Sequence, residues 1–204
     1  MTIELRALQA LRLKGRATAA DIGSVTGASA GEVGPALAEL AAAGHCAQAM
    51  DRYKLTRPGR DRLGELLAAE RATLDQGALA DAYRDFEAPN SAFKQLVTDW
   101  QLKDGATPND HADAEYDAKI VHRLGELHEG FRPLVNRLVG LAPRLTPYPG
   151  RFGSALARVR AGEHTWLARP MIDSYHTVWF ELHEDLIGLA GRSRAAEAAA
   201  GRAE

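Results

Sequence analysis

Apolar residues recur at helical spacing in three segments of the first 45 residues. They run from Ile3 to Leu13, through Ile22 and Val25, and from Val33 to Leu40. A glycine follows each segment, and glycine ends helices because it enters the left-handed conformation cheaply. Two segments also begin with a capping pattern, in which a hydroxyl residue precedes an acid by three positions. The pairs are Thr18 with Asp21 and Ser29 with Glu32. We therefore predict three consecutive helices.

The apolar period changes from that of a helix to that of a strand after Gly44. In "CAQAMDRYKLT" apolar and polar residues alternate on either side of "MDR", which predicts two short strands and a tight turn. "LTRPGRDRLGELLAAER" then predicts a helix, with Thr56 as its cap and Pro58 in its first turn. The order of helix, helix, helix, hairpin and helix predicts a winged helix-turn-helix domain over residues 1–72.

Residues 73–191 show only helical spacing, so the chain as a whole is predicted to be mostly α, with an all-α C-terminal domain. We expect helical segments on either side of Pro89, a long helix from about Asp110 to Leu141, and a last helix from near Glu163. "KDGATPND" and the proline-rich "APRLTPYPGR" are predicted loops. Residues 192–204 contain no large apolar side chain and are predicted to be a flexible Ala-rich tail.

The apolar residues of the last helix step alternately by three and four positions, which is typical of a coiled-coil seam. This pattern predicts a homodimer. Its seam is expected to include Tyr175, Trp179, Leu182 and Leu186.

Two stretches of the sequence resemble known families. "TAADIGSVTGASAGEVGPALAELAAAGH" followed by "YKLTRPGRDRL" resembles the MarR-like winged helix-turn-helix regulators over about residues 3–71. This resemblance implies transcription regulation through double-stranded DNA. "FKQLVTDWQLKDGATPNDHADAEYD" and "DSYHTVWFELHEDLIGLAGR" resemble a helical segment associated with phosphoenolpyruvate-utilising enzymes of the dikinase type, over about residues 57–191. Because the chain has none of the catalytic domains of those enzymes, the second resemblance implies an accessory module.

Composition and charge narrow these possibilities only slightly. The net charge is −2, whereas many nucleic-acid-binding domains are strongly basic, so DNA binding is permitted at a local patch. The single cysteine excludes an intramolecular disulfide and fits a cytoplasmic protein. The charged N-terminus and the lack of long apolar runs predict neither a secretory signal nor a membrane span.

The candidate DNA contacts lie around the predicted recognition helix, which contains no lysine or arginine. Side chains near its start can face the major groove, and cations at the hairpin and at the neighbouring loops can bind phosphates. The candidates are Thr26, Ser29, Glu32, Arg16, Arg52, Lys54 and Arg57. The lack of cations also favours an alternative: a winged helix that binds a protein, such as a partner enzyme, instead of DNA.

Other chemistry is weakly indicated. The histidines and acids lack the spacing of strong metal signatures, and no phosphate-binding loop or nucleophile with a base is recognisable, so we expect no enzyme activity, cofactor or metal. The aromatic residues of the C-terminal half, among them Phe93, Trp100 and Trp179, either form a core or line a pocket for a small-molecule effector.

Overall fold

In the computed structural model, which describes residues 2–192, the chain divides into two units. One comprises the residues up to Asp75 together with Ala142–Pro147. The other comprises Gln76–Leu141 and the chain from Tyr148 onward. Of the predicted tail, residues 193–204 lie outside the described residues.

The first unit is a winged helix, as predicted. Its elements are α1 (Ile3–Lys14), β1 (Ala17–Thr18), α2 (Ala19–Thr26), α3 (Ala30–Ala42), β2 (Cys46–Ala49), β3 (Arg52–Leu55) and α4 (Arg57–Ala72). The antiparallel sheet has the order β1-β3-β2. The strand β1 was not predicted, because two residues are too few to show an alternating pattern. The core residues come from all four helices and from the hairpin, and include Leu8, Leu11, Ile22, Leu37 and Leu63.

Both predicted capping pairs fix the starts of their helices. At α2 the Thr18 hydroxyl accepts from the Asp21 N–H at 3.1 Å, and the Asp21 carboxylate accepts from the Thr18 N–H at 2.9 Å. At α3 the Glu32 carboxylate accepts from the Ser29 backbone N–H at 2.9 Å and from the Ser29 hydroxyl at 2.8 Å. These bonds satisfy donors that a helix start otherwise leaves unpaired.

The chain leaves the hairpin through a close contact between α4 and the segment that follows α3. Thr56 caps α4 by accepting from the Gly59 N–H at 3.1 Å, and its hydroxyl donates to the Gly44 carbonyl at 2.6 Å. The backbone of α4 passes so near the His45 carbonyl that a Cβ atom on Gly59 would overlap the carbonyl oxygen. A glycine is therefore required at position 59 by close approach of two backbones.

The segment Ala142–Pro147 belongs to the winged-helix unit although Gln76–Leu141 of the other unit separate it from Asp75 in the sequence. Ala142 and Leu145 are fully buried. The Arg144 Nε donates to both oxygens of the Glu70 carboxylate near the end of α4, at 3.0 and 3.1 Å, and both side chains are almost fully buried.

This segment also corrects the predicted proline loop. Pro143–Leu145 forms a 3-10 turn, and the next helix begins at Pro147. Prolines in the first turn of a helix cost little because the N–H groups that they lack have no helical partner there.

The second unit is mostly helical. Its elements are α5 (Gln76–Gln101), β4 (Leu102–Lys103), β5 (Thr107–Pro108), α6 (Ala114–Leu141), α7 (Pro147–Arg160), α8 (Thr165–Ala168) and α9 (Tyr175–Leu189). The prediction of a loop at "KDGATPND" missed the small β4-β5 hairpin. The helical segments predicted on either side of Pro89 form one helix, since α5 continues through the proline with Phe86 and Phe93 buried on either side of it. The last helix begins at Tyr175 and not near Glu163.

The helix α9 lies in the core of this unit, which corrects the predicted dimer seam. Tyr175, Trp179, Leu182 and Leu186 are each at most 3% exposed, so residues of the same chain cover them. Rings of Phe86, Phe93 and Phe131 lie 4.4–5.4 Å from the Trp179 ring, centre to centre. The 3,4 spacing correctly predicted an apolar face, but the face packs inside the helical unit.

The opposite side of α9 is buried as well, and its charged residues are paired. Arg151 of α7 donates to both oxygens of Asp173 at 3.1 Å and to Glu181 at 2.5 Å. The Tyr148 hydroxyl donates to the Asp185 carboxylate at 2.6 Å. Burial and the neighbouring Asp185 charge raise the pKa of Tyr148 well above its usual value. These contacts allow carboxylates to lie in the interior of the unit.

Candidate nucleic-acid interface of the winged helix

The start of α3 is a network in which the predicted base-contacting side chains already have partners. Glu32 accepts both hydrogen bonds from Ser29, and these bonds hold its pKa below the usual value. Arg6 of α1 approaches the same carboxylate at 3.9 Å. Ser29 and Glu32 are exposed, but Glu32 is held in its charged form, which repels phosphates.

Thr26 is not a candidate contact, and this prediction is corrected. The residue is 6% exposed, and its hydroxyl donates to the Ile22 carbonyl at 2.7 Å and accepts from the Ala28 N–H at 3.3 Å. A threonine in the last turn of a helix commonly bonds back to the carbonyl four residues earlier. Its role is therefore to close α2 before the turn.

Arg6 is a residue that the sequence analysis missed. Its Nη1 donates to the Thr26 carbonyl at 3.2 Å, so a side chain of α1 supports the turn between α2 and α3. The two residues are 20 positions apart in the sequence. No local spacing pattern indicates such a contact, and only the packing of α1 against α2 produces it.

The outer face of α3 carries small side chains and no cation. Its exposed residues after Ser29 are Ala30, Gly31, Glu32, Gly34, Pro35, Ala38, Glu39 and Ala42. Arginine, lysine, asparagine and glutamine, which make most contacts to base edges, are missing from this face. The structure therefore leaves both predicted functions of α3, DNA binding and protein binding, open, because its exposed positions lack the side chains that usually contact bases.

The hairpin presents two cations together. Arg52 and Lys54 lie two positions apart on β3, so their side chains extend from the same face of the sheet, and both are exposed. Their partners on β2 are Ala49 and Ala47, which are too small to cover them. The turn between the strands contains Met50, which is 92% exposed and has a φ of 55°.

Arg16 and Arg57 are two further exposed cations of the winged helix. Arg16 is exposed in the loop before β1, and Arg57 is the exposed first residue of α4. Within the described part of the chain, no carboxylate lies within ion-pair distance of Arg16, Arg52, Lys54 or Arg57. Unpaired exposed cations are suited to phosphate binding because they give up no existing ion pair.

Three other features bear on function: the cysteine, the residues that could bind a metal, and the length of the apolar helices. Burial raises the pKa of the Cys46 thiol, which lies in the core of the winged helix. The described residues contain no group of three or more histidines, cysteines or acids placed to hold a metal ion. None of the helices in residues 2–192 combines the length and apolar character needed to cross a bilayer.

Comparison with known proteins gives no further assignment. No family model matches the sequence, and no curated protein or solved structure matches the chain.

Proposed function

We propose that the protein is a DNA-binding transcriptional regulator of the winged-helix type that acts in the cytoplasm. The observation that carries the proposal is the pair of exposed cations Arg52 and Lys54 on one face of the hairpin, beside α3 of a winged helix. Arg16 and Arg57 add two further exposed cations to this unit. Phosphate contacts from such positions supply affinity and orientation without reading the sequence.

Base recognition is expected to depend little on the side chains of α3. Its small exposed residues let the helix backbone approach a groove closely, so DNA shape and backbone contacts contribute more than direct donor–acceptor pairs. A winged helix that binds a two-fold symmetric site acts as a dimer, and we propose a homodimer on this ground. The dimer interface must differ from the predicted seam, because those four residues are covered within one chain.

The test is fluorescence anisotropy of a labelled random-sequence duplex, measured from low to near-physiological salt. The variant Arg52→Ala/Lys54→Ala removes two phosphate contacts, so the negative slope of log K against log salt becomes less steep by about 2. The matched control is Arg84→Ala/Lys119→Ala, which removes the same charge from exposed positions of the helical unit. Unchanged binding in the hairpin variant, or equal loss in the control, contradicts the proposal.

A second function is favoured by the outer face of α3, whose charges are only Glu32 and Glu39. A helix face of small residues can pack closely against a protein, and the winged helix is then an interaction module for a partner such as a phosphoenolpyruvate-utilising enzyme. Ala38→Arg separates the two functions. It disrupts a protein complex by steric overlap, whereas on the random-sequence duplex the added cation preserves or increases the non-specific affinity.

A further inference from the structure

Glu32 is an exposed acid in the first turn of α3, and its two carboxylate oxygens have different surroundings. Oε2 accepts both hydrogen bonds from Ser29, at 2.9 Å from the backbone N–H and at 2.8 Å from the hydroxyl. Oε1 accepts no hydrogen bond within residues 2–192, and the Nη2 of Arg6 lies 3.9 Å from it. The side chain is 55% exposed. One oxygen is thus fixed by the protein, and the other is available to a ligand.

The bonds from Ser29 also determine the charge state of Glu32. Its N–H and its hydroxyl hold the pKa of the Glu32 carboxyl below the usual value, so at neutral pH both oxygens act only as acceptors. The same bonds restrict the rotation of the side chain before any ligand binds, which lowers the entropic cost of a contact. Glu32 is therefore a positioned acceptor that donates no hydrogen bond.

The neighbours of Glu32 on α3 are small enough to let its carboxylate reach the edge of a base. The exposed positions beside it are Ala30, Gly31, Gly34 and Pro35. The nearby Arg6 guanidinium partly offsets the repulsion between the carboxylate and DNA phosphates. Residues near the start of a recognition helix are the ones that contact base edges in the major groove, and Glu32 holds such a position.

A group that only accepts hydrogen bonds distinguishes between bases in the major groove. Cytosine presents its N4 amino donor there, guanine presents only acceptors, and thymine presents the O4 acceptor and a methyl group. Adenine presents an amino donor, but the N7 acceptor beside it repels a carboxylate. Cytosine is therefore the base that the free oxygen of Glu32 fits best.

We propose that Glu32 reads a cytosine in the major groove, with Oε1 accepting a hydrogen bond from the N4 amino group. This inference rests on the proposed DNA binding and names the base that α3 selects. It adds one side-chain contact to recognition by DNA shape and by the backbone of α3.

The experiment starts with selection of binding sites from a random-sequence duplex library by the full chain. We expect a cytosine at one position of each half-site, and we expect Glu32→Gln no longer to select it. Anisotropy is then measured on the selected duplex and on a duplex with U·A in place of that C·G pair. Uracil places the O4 acceptor where the N4 donor was and carries no methyl group. The original protein should bind the cytosine duplex about tenfold more tightly.

Two variants test whether the preference comes from Glu32. Glu32→Gln keeps a residue that fits the capping pattern of α3, but it presents an amide donor to the base, so the tenfold preference should disappear or reverse. Glu39→Gln is the matched control, because Glu39 is an exposed acid of the same helix whose side chain forms no hydrogen bond or ion pair within the described part of the chain. It should raise the affinity for both duplexes alike and keep the preference.

The results distinguish failure of this contact from failure of the proposed function. If the cytosine preference is the same in Glu32→Gln, or is lost equally in Glu39→Gln, the contact is overturned while DNA binding stands. If the selection enriches no cytosine, the contact is overturned as well. If the chain binds no duplex even at low salt, DNA binding and the contact are both overturned.

Discussion

Two glycines of α4 provide a test of the winged-helix geometry, because alanine is expected to have opposite effects at them. Gly59 lies in the first turn, where a Cβ atom would overlap the His45 carbonyl oxygen. Gly64 lies about one and a half turns further along the same helix and is exposed. Apart from its chain neighbours and the backbone of its own helix, no atom of residues 2–192 lies within 4 Å of the position that an alanine Cβ would take there.

The magnitudes follow from two competing terms. Alanine in place of glycine stabilises a helix by about 1 kcal/mol, so Gly64→Ala is expected to increase the free energy of unfolding by roughly that amount. At Gly59 the same gain is opposed by overlap with a backbone atom, which cannot rotate away as a side chain can. Overpacking of this kind costs about 3 kcal/mol at the upper end of its usual range, so Gly59→Ala is expected to destabilise by about 2 kcal/mol net.

The assay is urea unfolding of the full chain, followed by circular dichroism at 222 nm, with both variants measured beside the original protein. Near-ultraviolet spectra of the folded variants show whether either substitution rearranges the tertiary structure. If Gly59→Ala stabilises the protein as much as Gly64→Ala does, α4 does not approach His45 as described, and the anchoring of the hairpin exit is refuted.

Two further predictions concern ionisable groups. Glu70→Gln replaces the carboxylate that accepts from the buried Arg144 guanidinium with a neutral amide, so urea unfolding should show a loss of about 3 kcal/mol. Asp81→Asn, in the exposed pair with Arg84, should cost less than about 1 kcal/mol, and similar losses in both variants would contradict the buried pairing. Burial lowers the pKa of His128 and His176, so the unfolded chain takes up protons first as the pH falls, and the free energy of unfolding decreases from about pH 7 downward. The variant His128→Gln/His176→Gln should flatten this pH dependence in urea titrations at about pH 5–7, and an unaltered slope would show that other groups cause it.

The parts of the fold that the sequence predicted are those set by local interactions. The starts of α2 and α3 depend on Thr18 with Asp21 and on Ser29 with Glu32, pairs only three residues apart that the structure shows in contact. The prolines of α7 misled the prediction because a proline can either end a helix or begin one, and only the position of the preceding turn decides between them.

The parts that could not be predicted depend on contacts between distant residues. The spacing of Tyr175, Trp179, Leu182 and Leu186 identifies an apolar face but not the surface that covers it, and here α5, α6 and α7 of the same chain supply rings around Trp179. Two further contacts have no local signature in the sequence. Arg6 supports the α2–α3 turn, and Ala142–Pro147 packs in the winged-helix unit.

The hairpin and α3 are proposed to contribute differently to DNA binding, and affinity measurements on specific and non-specific duplexes can separate the two contributions. If Arg52 and Lys54 contact phosphates, their removal lowers affinity for every sequence alike and leaves the ratio between specific and non-specific binding unchanged. If the small residues of α3 allow its backbone to approach the bases, a larger side chain at Ala38 changes that ratio, because it separates the helix from the groove. A uniform loss from the hairpin variant together with a changed ratio from a variant at Ala38 would assign affinity to the cations and selectivity to the fit of α3. A changed ratio from the hairpin variant alone would instead place base recognition in the hairpin.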